Sequence, residues 1–178
     1  NASSVVVNFV TNDNGTTTDS VAQAELRPFA SATMMSFTGF SHRYVNPSGG
    51  RVLSYHSVAL SGLSERTRYE YRIRAARGGT WSDWYNFTSL YSAGVTKFAL
   101  YADLGIFANE EASFLPKPAR QNLGNLVTDL RRGLIDFAVH SGDHAYEFPV
   151  DGGARGDGYM DAYSKFLSHA PWAPGWGN

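Results

Sequence analysis

Apolar and polar residues follow different patterns in the two halves of the chain. In roughly the first half, short alternating runs are separated by turn residues such as Asp-Asn-Gly and Asn-Pro-Ser-Gly-Gly. The run at 67–75 alternates strictly, with Tyr69, Tyr71 and Ile73 on one side and charged residues on the other. The predicted strands are 4–10, 22–27, 33–44, 51–60, 67–75 and 81–88. Six or seven strands in this length predict an all-β sandwich.

Two strands in the second half each lead into an acid. A run rich in β-branched and aromatic residues at 96–102 is followed by Asp103, and a similar run at 135–141 is followed, after one glycine, by Asp143. Such runs are typical of strands in a sheet that is covered on both faces. In open α/β sheets, functional residues collect just beyond the carboxyl ends of strands. Both aspartates therefore occupy candidate functional positions.

A helix is predicted between these two strands. Apolar residues in 119–130 recur at helical spacing, with Pro118 suited to the first turn and Gly133 to the stop. A strand-helix-strand crossover makes the two strands parallel. Asp103 and Asp143 should then emerge at the same edge of one sheet, where neighbouring strands would let them share a metal ion.

The two patterns meet at a short, glycine-ended segment, 89–94. We place the domain boundary near residue 93, with a β-sandwich at 1–93 and the first part of an α/β domain at 94–178. Because the joint is short, the two domains are expected to share an interface.

The segment 60–73, Leu-Ser-Gly-Leu-Ser-Glu-Arg-Thr-Arg-Tyr-Glu-Tyr-Arg-Ile, resembles the fibronectin type III pattern, in which a leucine precedes a tyrosine corner. The resemblance implies that Tyr69 is this corner and that its hydroxyl bonds back to the preceding turn. A sandwich of this class is expected to serve packing and presentation rather than chemistry. Four nearby aromatic residues leave two interpretations open, a sugar- or partner-binding surface, or a mixture of core and domain interface. They are Trp81, Trp84, Tyr85 and Phe87.

Three short blocks in the second half resemble, in order and spacing, the first three metal-binding blocks of the purple acid phosphatases. They are Asp103-Leu104-Gly105, Gly142-Asp143-x-x-Tyr146 and Gly177-Asn178. Tyr146 distinguishes the purple acid phosphatases from other binuclear metallophosphoesterases, because the others share the Asp, Asp and Asn blocks but lack this tyrosine. The resemblance implies a fibronectin type III-like sandwich followed by the first part of a calcineurin-like metallophosphoesterase domain.

The resemblance also implies metal ligands and a reaction. By the family's residue roles, Asp103 and Tyr146 would bind a ferric ion, Asp143 would bridge both metals, and Asn178 would bind a divalent zinc, manganese or iron ion. Carboxylate, phenolate and amide oxygens are hard ligands, which suit such ions. The implied function is a metal-dependent acid phosphatase that hydrolyses phosphate monoesters by attack of a metal-bound hydroxide.

The family completes its site with further histidines, and none of the five histidines of this chain matches their positions. We therefore expect the 178-residue chain alone to be inactive. The alternative function is that of a non-catalytic structural or adhesive secreted glycoprotein that retains the phosphatase fold. Tyr146 argues against a third interpretation, a metallophosphodiesterase or nucleotide-cleaving relative, because those sites generally place another group there.

Polar residues beside the predicted site have several candidate roles. His144 would either face the phosphate as a proton donor or point away as a polar rim residue. His140, near the strand end, is expected to be a hydrogen-bonded core histidine. The glycine-rich segment 150–158 is predicted to be a mobile loop, in which Arg155 either reaches a phosphate or is a surface charge.

Composition limits the classes of binding partner that are expected for this chain. A net charge of −1 and a pI near 6.6 give no general attraction to nucleic acid, and no apolar stretch is long enough to span a membrane. The absence of cysteine excludes disulfides and thiolate metal sites. Asn1, Asn14 and Asn86 begin glycosylation sequons, and the expected location is extracellular, lysosomal or vacuolar. The expected partner is a phosphate monoester substrate, and a homodimer or larger assembly is left open.

Overall fold

The structure is a computed structural model that describes residues 3–12, 21–45, 51–76, 79–103, 118–144 and 150–177. The chain divides into two compact units, Asn1–Gly94 and Val95–Asn178. Each unit has its own hydrophobic core, as is usual for separate domains.

The first unit contains two antiparallel sheets, with seven strands in its described residues. The strands are β1 (Ser4–Asn12), β2 (Gln23–Pro28), β3 (Met35–Thr38), β4 (Phe40–Val45), β5 (Val52–Ser61), β6 (Arg68–Arg74) and β7 (Tyr85–Thr88). One sheet has the order β1-β5-β4 and the other β3-β2-β6-β7. The core draws on both sheets, since Val58 and Leu60 of β5 and Ala24 and Leu26 of β2 are fully buried in it. The predicted β-sandwich is confirmed.

The predicted strand at 33–44 is in fact two strands, because the chain changes sheets at Gly39. β3 pairs with β2, whereas β4 pairs with β5. A Cβ on Gly39 would overlap the carbonyl group of Ser57 in β5, and the Gly39 N–H donates to the Ala22 carbonyl at 2.8 Å. Only glycine allows two backbones to approach this closely. The alternation of apolar residues alone did not reveal this break.

The alternation predicted for β6 is confirmed. Tyr69 and Tyr71 are 2% and 5% exposed, and both rings pack near Phe87 in the core. The Ser64 N–H donates to the Tyr69 hydroxyl at 2.8 Å, across the turn that precedes β6. This hydrogen bond confirms the predicted tyrosine corner.

Replacing Tyr69 by phenylalanine should destabilise the first unit by about 1 kcal/mol, because the partly buried Ser64 N–H loses its acceptor. Urea unfolding followed by circular dichroism measures the change. Tyr44→Phe is the matched control, since Tyr44 is 43% exposed on β4. Equal stability of the two variants would show that the corner hydrogen bond contributes nothing.

The core part of the second interpretation is confirmed for Phe87, which is buried, and for Tyr85, which packs against the core. For Trp81 and Trp84 both interpretations stay predictions. The Trp84 indole stacks on Arg27 of β2 at 4.3 Å and on Arg72 of β6 at 4.8 Å. The Trp81 indole stacks on Arg74 and Arg72, both of β6, at 4.3 and 4.8 Å. These cation–π contacts engage the indole faces within the sandwich itself. They also account for β7 beginning at residue 85 rather than at 81 as predicted, because the residues before it cover arginines instead of joining the sheet.

The second unit contains a parallel sheet with two helices. Its described elements are β8 (Phe98–Tyr101), α1 (Pro118–Arg131), β9 (Phe137–His140), a 3-10 turn (Val150–Gly153), α2 (Ala154–Leu167) and β10 (Trp172–Pro174). The order is β10-β9-β8, and both pairings are parallel. The predicted crossover from β8 through α1 to β9 is confirmed. In the part of the chain that the structure describes, neither helix has the length and apolar character needed to cross a membrane.

Only one face of this sheet is covered within the described residues. Tyr159 and Tyr163 of α2 pack with Ala138 of β9 in the core. On β8, by contrast, Phe98 is 53% and Leu100 is 64% exposed. Successive side chains of a strand point to opposite faces, so these two residues point away from the helices. The described residues therefore cover one face of the sheet, and cover over the second face stays a prediction.

The glycine-rich segment 150–158 is not a loop. It forms a 3-10 turn and the start of α2, with Gly153 in a left-handed conformation (φ 95°) at the helix N-cap. Gly158 lies inside the helix and is buried, next to the buried Tyr159. Glycine costs about 1 kcal/mol in a helix, and the burial of the aromatic face of α2 outweighs that cost. Arg155 is thus a half-buried residue of α2.

Candidate metal centre

Two acidic turns lie side by side beyond the carboxyl ends of β8 and β9. Tyr101, the last residue of β8, is the register partner of His140, the last residue of β9. Just beyond them, the Asp103 N–H donates to the carbonyl of Gly142 at 3.4 Å. This bond joins the turn that carries Asp103 to the turn that carries Asp143.

Both acids have a left-handed backbone. φ is 53° at Asp103 and 50° at Asp143, and only two other non-glycine residues in the described part of the chain have a positive φ. The conformation costs about 1 kcal/mol or more for a residue with a Cβ. Backbone strain of this kind concentrates at functional sites, where it aims a side chain. Its presence at both acids supports a ligand-binding edge.

The segment after β10 packs directly against the Asp143 turn through glycines. Gly142 has a φ of 118°, and a Cβ on it would overlap the carbonyl of Trp176. A Cβ on Gly177 would overlap the Asp143 carboxylate and lie 2.7 Å from the Asp143 nitrogen. Glycine at both positions is what allows the two segments to touch. Gly177 directly precedes Asn178, the ligand predicted from the third block.

His144 engages both ring nitrogens within the fold. Its Nε2 is 2.8 Å from the Gly175 carbonyl oxygen, and its Nδ1 is 2.9 Å from the Nδ1 of His140. A carbonyl oxygen only accepts, so Nε2 of His144 donates, and in a neutral ring Nδ1 then accepts from the Nδ1–H of His140. In this arrangement both ring nitrogens of His144 already have hydrogen-bond partners within the protein. A proton-donor role of His144 towards phosphate stays a prediction.

His140 is a fully buried, hydrogen-bonded core histidine, which confirms the expectation for it. Its pKa is lowered from 6.5 to about 4, chiefly by burial and secondarily by His144. The negative charges of Asp103 and Asp143 act in the opposite direction and raise the pKa. Because both carboxylates influence the same imidazole, the two acids and His140 share one electrostatic environment.

An aromatic cluster around His140 was missed by sequence reasoning. The ring centroids of Tyr101, Tyr163 and Trp172 lie 4.6, 6.0 and 6.4 Å from that of His140. Tyr159 joins them, with its hydroxyl 3.5 Å from His140 Nδ1. The only signal in the sequence was the helical spacing of Tyr159 and Tyr163, which does not say which strand residue they face.

This cluster buries four polar atoms, the hydroxyls of Tyr101 and Tyr163, Nε1 of Trp172 and Nε2 of His140. The Trp172 indole N–H donates to the Tyr101 hydroxyl. The Nε2 of His140 is an acceptor, the indole nitrogen is a donor, and each hydroxyl is both. These polar groups are therefore chemically complementary to one another.

The predicted metal ligands are only partly within the described residues. Asp103 and Asp143 are described, whereas Tyr146 and Asn178 lie outside. The described residues contain no group of three or more histidine, cysteine, aspartate or glutamate side chains that could hold a metal ion. Two carboxylates at one sheet edge still fit hard cations, which prefer oxygen ligands.

The glycosylation sequons are likewise only partly described. Asn86 lies half-buried on β7, with the Arg68 guanidinium 3.4 Å from its Oδ1. Asn1 and Asn14 lie outside the described residues. Glycosylation at the three sites stays a prediction.

Known proteins are similar to this chain in sequence and in fold. Residues 1–89 match the family model described as "Purple acid Phosphatase, N-terminal domain". Acid phosphatase type 7 of Danio rerio is 32% identical in an alignment of 143 residues, and the match covers 77% of this chain and 29% of that protein. The Mus musculus protein of the same name is 29% identical over 125 residues, 68% of this chain and 25% of that protein. The structure of purple acid phosphatase PPD1 from yellow lupin (Lupinus luteus) seeds matches the whole chain with a TM-score of 0.77 at 19% identity, and 33% of that chain is covered.

Fold and site define a β-sandwich protein that continues into a parallel α/β unit with paired acids at one sheet edge. The family match covers half of the chain, and so the chain belongs to the purple acid phosphatase family, with residues 1–89 as that family's N-terminal domain. It spans only about a quarter to a third of the length of the relatives and of the lupin structure.

Proposed function

We propose that this chain is part of a metal-dependent acid phosphatase that hydrolyses phosphate monoesters. The main support is the position of Asp103 and Asp143, which both have a left-handed backbone and lie just beyond the ends of adjacent parallel strands. The second support is that the chain belongs to the purple acid phosphatase family. The matched relatives are named acid phosphatases, which supports the same reaction class. Residues 94–178 would then form the first part of the calcineurin-like metallophosphoesterase domain.

The proposed cofactors are a ferric ion and a divalent ion, zinc, manganese or iron. Asp103 and Asp143 would hold them together with Tyr146 and Asn178, and this oxygen-rich set suits hard and borderline cations. When bound, the two ions would supply Lewis acidity and activate water for attack on phosphorus.

The residues of this chain would act by binding and orientation. The strained turns at Asp103 and Asp143 fix two carboxylates at one edge before any ligand arrives, which lowers the entropic cost of binding. Gly177 lies against the Asp143 carboxylate and thereby restricts its rotamers. The buried His140 and its aromatic neighbours back this edge with a rigid, close-packed layer.

The test uses the full-length enzyme of which we propose this chain to be a part, purified with its native metals, with hydrolysis of an aryl phosphate and the visible absorption spectrum as readouts. We expect turnover and a phenolate-to-ferric absorption band. Asp143→Asn should lower kcat/KM by more than about 100-fold, because a bridging ligand matters at least as much as groups that merely orient ligands. Tyr146→Phe should abolish the band.

Asp161→Asn is the matched control, since Asp161 is exposed on α2 and should leave both readouts unchanged. A metal-loaded parent protein without turnover would refute the phosphatase proposal in favour of a structural role. A colourless, iron-loaded protein would refute the ferric-tyrosinate assignment alone.

A further inference from the structure

We propose that His144 is a positioning residue that ties the Asp143 turn to the segment after β10 and so holds together two segments of the proposed metal site. This role rests on the proposed function for its purpose, but the tie itself is a property of the metal-free fold. It differs from proton donation to a substrate, because it uses both ring nitrogens inside the protein.

The tie is a closed set of three hydrogen bonds. The Gly175 N–H donates to the His140 carbonyl at 2.6 Å, and His144 Nε2–H donates to the Gly175 carbonyl at 2.8 Å. The third bond, 2.9 Å long, joins the two imidazoles. The two histidines therefore bond both backbone groups of Gly175. The His140 carbonyl accepts from its N–H, and the His144 side chain donates to its carbonyl.

The histidine rings are held in place by packing. His140 is fully buried, and His144 is half-buried with its ring 4.1 Å from that of His140 and 5.4 Å from that of Trp172. Both contacts are edge-to-face, a favourable arrangement for aromatic rings. Because these neighbours limit the rotamers of His144, its Nε2 is aimed at Gly175 at little entropic cost.

The segment after β10 needs such a tie. β10 has three residues and pairs only with β9 in the described sheet, so few ladder bonds hold it. Two residues beyond Gly175, Gly177 must lie against the Asp143 carboxylate, where even a methyl group would not fit. A small displacement of this segment would therefore move Gly177 away from Asp143.

The first arm of the test is hydrogen–deuterium exchange of the metal-free protein, read at the Gly175 amide. His144→Leu removes both ring hydrogen bonds, whereas His144→Gln keeps an N–H for the Gly175 carbonyl and an acceptor for His140. We expect His144→Leu to speed exchange about 10-fold or more, and His144→Gln to stay close to the parent. Unchanged exchange in His144→Leu, or no rescue by His144→Gln, would overturn the tie.

The second arm measures binding of Zn²⁺ alone to the metal-free full-length enzyme by calorimetry. We expect about 10- to 100-fold weaker binding in His144→Leu and near-parental binding in His144→Gln, as for other residues that orient metal ligands. Parental affinity in His144→Leu would overturn the positioning role. A parent protein that binds no metal would refute the proposed function, while the exchange arm would still decide the tie. If His144→Leu does not fold, His144→Asn replaces it, because its shorter amide cannot reach both partners.

Discussion

Gly142→Ala is expected to destabilise the second unit by about 3 kcal/mol or more. Gly142 has a φ of 118°, and its added Cβ would overlap the Trp176 carbonyl, a backbone group that cannot rotate away. The strained backbone and the displaced segment after β10 both contribute to this cost. Amide exchange in β9, compared between variant and parent in the absence of metal, measures the loss.

Gly133→Ala separates the two contributions. Gly133 also has a positive φ, 67°, but a Cβ on it would meet nothing within 4 Å. This control should lose only about 1 kcal/mol, the backbone term. If Gly142→Ala costs no more than Gly133→Ala, then the close packing between the Asp143 turn and the segment after β10 does not exist in solution.

The stability of the metal-free protein should fall as the pH is lowered from about 6.5 to about 4, because of His140. The pKa of His140 is about 4 in the folded state, chiefly through burial, and 6.5 is its ordinary value. Between these values the unfolded chain binds a proton that the folded chain does not, so stability rises with pH across this window. One pH unit of pKa difference corresponds to about 1.4 kcal/mol, so His140 contributes about 3 kcal/mol to the fall.

Urea unfolding at a series of pH values, with a chelator present, measures this dependence. His140→Gln removes the titrating group and should flatten the curve relative to the parent between pH 4 and 6.5. Ala138→Gly is the control, because it creates a defect at a fully buried position of the same strand and leaves His140 in place. A parent and a His140→Gln variant with the same pH dependence would contradict the prediction.

Local patterns predicted several parts of the fold because a single strand or helix encodes them. The strict alternation around Tyr69 and Tyr71 required one buried face, which the structure shows. The order of strand, helix and strand required parallel pairing of β8 and β9. The tyrosine corner was predicted from the resemblance of segment 60–73 to the fibronectin type III pattern, and a short segment could carry this signal because the hydrogen bond spans only five residues.

The features that were mispredicted depend on contacts between distant residues. Gly39 is a break between strands because Ser57, in another strand, approaches its backbone. The glycine-rich start of α2 is helical because the aromatic side chains that follow are buried in the core of the second unit. Neither neighbour is visible in a local window of sequence.

For the candidate site, the sequence by itself determined which functional groups are present, namely two carboxylates at strand ends, in a family whose members are named phosphatases. Only the tertiary structure decided that both acids adopt left-handed backbones, that Gly177 rests on Asp143, and that His144 bonds to Gly175. The physical reason is separation along the chain. Residue types and their spacing fix which groups emerge from each strand, but hydrogen bonds and close approaches between segments about 30 residues apart form only when the sheet assembles.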